Sequence, residues 1–375
     1  MSDSVPDTKR ETITLHELLE RSAESALELQ REDGSFPPGR NYTYDEPETP
    51  VRTTSHWTVT LSEVYDITGK NKFREAANAA VDYLLSDEVR PHGYTYYCRD
   101  APGKDRCNGL VGQARPILGL TYAGGILNRE DAINTAEKVF LHHPFNKRMG
   151  AWEKIEVDGE KMSFDRTLNH QLIFAKSAIY LAKRKSKVSK NIVLFLDKLK
   201  NNMRIYDDGL IKHYIYNELF YSFNLIFDSV RHKSLIQNKI ASIYYDITKQ
   251  KRKKEIGYHS INIQALGMLR QHYSNHSLWK INKINHAIEF AKSNYYQSKM
   301  YQIVPGATNP GLLVASGLYN LSCGEQEKIK KLVEENLRKK IDPDTYLLSS
   351  DAISNPDQAA SISILTTLPN MSVTL

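Results

Sequence analysis

Cysteine is scarce: Cys98, Cys107 and Cys323 are the only three in 375 residues, and no two form a CxxC pair. The first two are close enough in sequence to meet across a loop, but isolated thiols give no support for thiol catalysis, and reduced side chains are expected. No stretch approaches the roughly 18 uninterrupted apolar residues of a membrane span. The first ten residues are polar and of mixed charge, so neither a spanning helix nor a secretory leader is expected, and a cytoplasmic chain is. GxGxxG, GxxxxGK[ST] and GxSxG are all missing, which disfavours nucleotide-phosphate cradles and a serine-hydrolase elbow. HExxH is missing too. His142-His143 and His213 have no partner at ligand spacing, and Asp207-Asp208-Gly209 reads as a turn, so neither a metal nor a cofactor is expected. Charge of one sign is only mildly in excess, +6 from 50 Lys and Arg against 44 Asp and Glu. The excess gathers at 183–203 and 249–254 without interleaved aromatics. It therefore reads as solvated helix ends and not as a nucleic-acid face.

What is present is a folded composition, 41% hydrophobic and 25% charged, with a clear helical period. Phe73, Ala76, Ala77, Ala80, Val81 and Leu84 share one stripe. So do Ala132, Ala136, Val139 and Phe140; Ile192, Phe195, Leu196 and Leu199; Ile281, Ile284, Ile288 and Ala291; and Ile329, Leu332, Val333 and Leu337. Each predicts a helix with one wet face. Between them lie segments apolar almost all round, at Leu172–Ala182, Leu219–Phe227, Ile261–Leu269 and Gly311–Leu321, which predict buried helices. These buried helices begin near residues 54, 108, 168, 214, 258, 309 and 356. The interval is that of helix-pair arrays and closed rings. Continuous apolarity on alternate helices favours closure over an open solenoid. The expected fold is all-α: an α/α toroid of six or seven hairpins in one domain over 16–375, after a flexible segment at 1–15. Gly93–Tyr97 and a hairpin over Ala151–Phe164, turning at Asp158-Gly159, are expected to decorate one rim.

If the buried helices run parallel, their N-termini share one face carrying free N–H groups and positive dipole ends. The loops before these helices hold the unusual polar residues. They include Gln30–Arg40, Val51–Trp57, Tyr97–Gln113, Phe164–Gln171 and Tyr258–Gln264. The Gln30-Arg31-Glu32-Asp33-Gly34-Ser35-Phe36 stretch is similar to a turn found repeatedly in α/α-toroid proteins. With the helix-pair period, the chain resembles the six-hairpin glycosidase superfamily and its relatives: unsaturated glucuronyl hydrolases, N-acylglucosamine 2-epimerases, toroidal polysaccharide lyases and glucuronyl epimerases. The resemblance covers most of the chain as architecture. It implies a substrate cleft where the inner helices begin.

That reading points to a carbohydrate-active enzyme for an oligo- or polysaccharide. Arg40, Arg52, Arg99, Arg106, Arg115 and Arg166 all map to the rim and point to acidic, uronic sugars. For a glycoside hydrolase, the leading expectation, Asp165 is the first-choice acid/base, with Asp45 or Asp100 as its partner. For a lyase or epimerase, a histidine (His170, His56 or His259) would take the proton beside a carboxylate, and Arg52 or Arg166 would stabilise the charge that develops. Trp57 offers a stacking face. Asn108, Gln113, Arg115 and Asn169 complete the expected substrate contacts. A bland role stands beside each: core filling for Trp57, a satisfied core histidine at His170, and an arginine pair for Asp165. A non-catalytic glycan-binding toroid and an isoprenoid-type toroid are the remaining alternatives.

Overall fold

The computed structural model describes residues 11–41, 46–215, 252–303, 309–349, 351–352 and 354–375. Asp45 and the expected helix Leu219–Phe227 lie outside them. Two sets of helices alternate. The first set holds α1 (Leu15–Leu27), whose stripe was not singled out in the sequence, and the five helices that carry the stripes read there: α3 (Asn71–Leu85), α5 (Glu130–His142), α8 (Ser186–Asn202), α10 (Asn282–Lys292) and α13 (Gln326–Lys340). Each buries its stripe and leaves the opposite face wet; in α3 the buried residues are Phe73, Ala76, Ala77, Ala80, Val81, Tyr83 and Leu84. The second set is apolar or small all round and forms the inner wall: α2 (Val51–Thr68), α4 (Gly109–Leu127), α6 (Leu168–Ser177) with α7 (Ile179–Ala182), α9 (Arg252–His272), α12 (Pro310–Asn320), and α14 (Pro356–Ala360), continued by a 3-10 helix over Ser361–Thr367. The remaining α-helix among the described residues is α11 (Asn294–Ile303).

Among the described residues the ring closes with six inner members: α2 packs on α4, α4 on α6, α6 on α9, α9 on α12, α12 on the 3-10 helix and that helix back on α2. Small residues let these backbones approach. A Cβ on Gly119 would meet the Ser55 carbonyl at 2.9 Å, and one on Gly267 would meet the Gly317 carbonyl at 2.6 Å. Polar residues of α2 bury without cost to pairing, because Ser55, Thr58 and Ser62 donate to carbonyls one turn back at 2.6–2.7 Å. Strand β1 (Thr12–Thr14) pairs antiparallel with β7 (Ser372–Thr374) and ties the chain ends together. It therefore lies inside the stretch read from sequence as a free N-terminal segment.

A second repeat runs through the links. Gly34, Gly150 and Gly209 each stand two residues before a buried apolar side chain: Phe36, Trp152 and Ile211. Gly34 and Gly209 adopt φ of +85° and +94°, and a Cβ there would fall 2.2 and 2.1 Å from the carbonyl oxygens of Ala79 and His286 on outer helices. Only glycine satisfies both the left-handed backbone and the contact. A side chain of the following inner helix then clamps the link. Thr54 accepts from Phe36 N–H, and His259 Nδ1 accepts from Ile211 N–H. Gln171 accepts from Trp152 N–H and donates back to its carbonyl. Gln113 does the same for Tyr96, at 2.7 and 2.9 Å, and also donates to Cys107 O at 2.7 Å.

The hairpin expected over Ala151–Phe164 is present as β5 (Ala151–Ile155) and β6 (Lys161–Phe164). Gly93–Tyr97 is a turn and an extended link, not a strand, because Gln113 and the Val89 carbonyl take the backbone bonds a ladder would have used. Replacing Gln113 with alanine leaves those buried groups unpaired. A loss of roughly 2–4 kcal/mol in unfolding free energy is expected, read by urea denaturation.

Candidate functional site

The inner helices begin at a common end. Asp165, just before α6, accepts from Leu110 N–H in the first turn of α4 at 3.2 Å, and Arg52 in the first turn of α2 pairs with Asp357 in the first turn of α14. Inside that rim, all six inner members wall a central cavity with about 980 Å³ of empty space, its mouth included. Its polar lining comes from Arg52, Ser55 and His56 of α2, Arg115 of α4, Lys176 of α6, Gln264 of α9, Asn309 before α12, and Asp357, Ser361 and Ser363 of the closing segment. Tyr122, Tyr180, Leu313 and Met268 supply apolar and aromatic surface.

The cavity is rich in positive charge. Arg52 is the saturated cation, with Nη1 3.0 Å from Glu48 and Nε 3.5 Å from Asp357. Both carboxylates are shut away behind it, with side chains only 3% and 0% exposed. Burial pushes the Glu48 carboxyl up, Arg52 opposes this, and Asp357 pushes it up further. Arg115 has no hydrogen bond or ion pair among the described residues, and burial together with Arg52 lowers it to about 10. Lys176 donates to the neutral Gln264 Oε1 at 2.8 Å and meets no carboxylate among the described residues. Burial, then Arg115, brings its amine down to about 7. His56 is held well below 6.5 by burial, then by Arg115, Arg52 and Lys176, so its imidazole is neutral. Its Nδ1 lies 2.7 Å from Ser363 Oγ, and its other nitrogen has no partner among the described residues.

The residues expected from sequence divide into three groups. Arg52, His56 and Arg115 come together on the cavity wall. Asp165 and His170 form a dyad at the rim: the carboxylate receives His170 Nδ1 at 3.0 Å, Leu110 N–H at 3.2 Å and Thr167 N–H at 3.2 Å. Burial alone would raise Asp165, but His170, Lys154 and the Leu110 N–H outweigh it and hold it at about 2. A carboxylate so bound orients His170 and has no proton to give. Asn108 caps α4 in the left-handed region, its amide 3.5 Å from Glu48. Arg166 lies beside Tyr214, and Asn169 is buried one residue into α6 with Oδ1 unpartnered.

The third group is placed away from the cavity. Trp57 is 1% exposed and stacks on Phe36 at 5.6 Å, so its faces are filled by protein. Gln113 and His259 are fully buried link clamps; burial lowers His259 to about 4, and its Nε2 lies 3.0 Å from the Ala287 carbonyl. Asp100 is exposed on the loop before α4. Sequence reasoning passed over Lys176 and Ser363, and gave no site role to Gln264, placed on the rim, or to Asp357, placed at a helix start. Lys176 carried the one available signal, a lysine within the segment Leu172–Ala182 that is otherwise apolar almost all round. Among the described residues no cluster of His, Cys, Asp and Glu is arranged to hold a metal, and no helix is long and apolar enough to cross a membrane.

Among the described residues, six helical pairs close a ring around a polar central cavity, the architecture of an α/α toroid. Solved structures agree in fold. D-mannose isomerase aligns at TM-score 0.63 and 14% identity, covering 94% of this chain and 97% of its own. Cellobiose 2-epimerase from Bacillus thermoamylovorans gives 0.61 and 13%, covering 94% and 98%. An unsaturated glucuronyl hydrolase specific for heparin gives 0.57 and 12%, covering 94% and 96%. No family model matches the sequence. Archaeal glycosylation protein Q of Haloferax volcanii is 36% identical over 371 residues, covering 96% of this chain and 99% of that protein. The chain belongs to the family of archaeal glycosylation protein Q.

Proposed function

We propose that the chain is a carbohydrate-active enzyme that binds a sugar bearing a carboxylate in its central cavity and transfers the proton beside that carboxylate, as an epimerase or lyase does. The observation that carries this reading is His56. It is a neutral imidazole held at Nδ1 by Ser363, its second nitrogen open toward a cavity that also contains Arg52, Arg115 and Lys176. A proton on the ring carbon next to a carboxylate is weakly acidic. Removing it pushes charge into the carboxylate, and fixed cations in a buried cavity stabilise that charge strongly. The cations weaken His56 as a base while the cavity is empty. An arriving carboxylate cancels part of their field and strengthens it. Delivery of a proton to the opposite face by a second donor or water inverts the carbon; departure of the substituent at the next carbon, protonated as it leaves, gives an unsaturated sugar. The relative's role in glycosylation and the 2-epimerases among the structures of like fold support a sugar substrate.

Hydrolysis is the second reading. Glu48 and Asp357 favour it: two buried carboxyl groups near one cavity, with Glu48 pushed toward its protonated form. Arg52 holds both, so they serve as acid and partner only if it moves away. One incubation separates the readings. With uronate-containing oligosaccharides in D2O, we expect deuterium at the carbon beside the carboxylate, or an unsaturated product that absorbs in the ultraviolet. New reducing ends with neither deuterium nor an unsaturated product would establish hydrolysis and end the proton-transfer reading. Binding with no turnover of any kind would point to a glycan-binding toroid.

A further inference from the structure

We propose that Arg115 and Lys176 form the carboxylate subsite of the cavity, and that Lys176 gains its proton as the sugar's carboxylate arrives. This rests on the reading of the cavity as a sugar site and names the group that the sugar must carry. Buried cations are ordinarily paired, because desolvation without a counter-charge is costly. Arg52 obeys that rule through Glu48 and Asp357. Arg115 and Lys176 touch no carboxylate among the described residues: the first feels Glu48 and Asp357 only from beyond contact distance, and the second has the amide oxygen of Gln264. Both side chains line the same cavity and repel one another across it. An anion between them relieves both penalties, and the fork of Arg115 suits the two oxygens of a carboxylate.

The surroundings of Lys176 determine the direction of the proton. Arg115 and Tyr122 face the cavity from α4, and Tyr180 faces it from α7. Gln264 and Met268, neither titratable, do so from α9, as do Asn309 and Leu313 by α12. Across the cavity stand Arg52 and His56 of α2 and Asp357 of α14, the last already engaged by Arg52. No free carboxylate among these described residues supports a charged amine in the empty cavity. With the amine lowered to about 7, most molecules hold Lys176 neutral at pH 8. A bound carboxylate raises it again, so binding at pH 8 draws a proton from solvent, while binding at pH 6, where Lys176 is already charged, draws little.

The test is isothermal titration calorimetry with D-glucuronate and its neutral amide, D-glucuronamide, in buffers of different ionisation enthalpy. Wild-type protein is compared with Arg115→Met and Lys176→Met. Neither variant removes a paired charge, so both are expected to fold, which circular dichroism checks. We expect glucuronate to bind at least roughly tenfold more tightly than the amide. Each variant should lose that preference. Uptake of about one proton per sugar at pH 8 should be present in wild type and Arg115→Met and absent in Lys176→Met. Equal affinity for the two sugars, a preference surviving in both variants, no binding of either sugar, or no proton uptake would overturn the subsite. Selective binding of glucuronate without deuterium exchange would leave the subsite standing and remove only the proton-transfer reading.

Discussion

Replacing His56 with glutamine is expected to lower turnover by a factor of roughly 10²–10⁴, the usual worth of a positioned general base. Glucuronate affinity should stay within about threefold, because Arg115 and Lys176 remain in place. Glutamine keeps a polar group within reach of Ser363 but cannot accept and return a proton. The pH profile is the sharper readout. In the wild type, kcat/KM should fall on the acid side only well below pH 6.5, as the imidazole lowered by burial and by Arg115, Arg52 and Lys176 takes a proton. It should also fall on the alkaline side above about pH 7, as Lys176 in the free enzyme loses its charge. The glutamine variant should lose the acid limb and keep the alkaline one. Lys176→Met should do the reverse. Unchanged turnover in His56→Gln would remove His56 from the chemistry.

Replacing Trp152 with alanine is expected to cost about 3–5 kcal/mol in unfolding free energy, the range for deleting a buried tryptophan. Trp152 is fully buried, with ring centroids 4.7 Å from Phe145, 5.1 Å from Phe195, 5.4 Å from Phe174 and 5.6 Å from Phe140. Those four rings belong to β4 (Phe145–Asn146), α8, α6 and α5, so one side chain joins the link to three helices of two hairpins. Its backbone is clamped by Gln171 and is unaffected by the substitution. The ring nitrogen is buried without a partner, so Trp152→Phe gives up no hydrogen bond and should recover most of the loss. A cost below about 1 kcal/mol for the alanine variant in urea denaturation would contradict this account of the core.

The outer helices and ring closure were legible in the sequence because they follow from periodicity. A stripe such as Phe73, Ala77, Ala80 and Leu84 has only one way to bury itself, and helices apolar on every side need neighbours all round. Between six and seven hairpins, the packing of α6 directly on α9 gives six among the described residues, whereas spacing alone had counted a start near 214. The cavity was legible only in part. Rim position singled out Arg52, His56 and Arg115, but it could not separate residues facing inward from those clamping a link. Gln113 and His259 occupy the same early helical turns and point to the preceding loop. Asp165 looked like an acid beside a histidine, and only the three donors converging on it show a carboxylate committed to orienting His170. Lys176 and Ser363 were missed because their role comes from neighbours 88 and 307 residues away along the chain, Gln264 and His56, which no local pattern reports.

The central claim is that a carboxylated sugar sits at the middle of the ring, not on the rim. The most direct measurement is a crystal structure of the protein soaked with D-glucuronate. The account predicts density in the central cavity, with the carboxylate against Arg115 and Lys176 and a ring carbon facing the open nitrogen of His56. Sugar bound only at the rim beside Asp165 and His170, with the central cavity holding none, would contradict it.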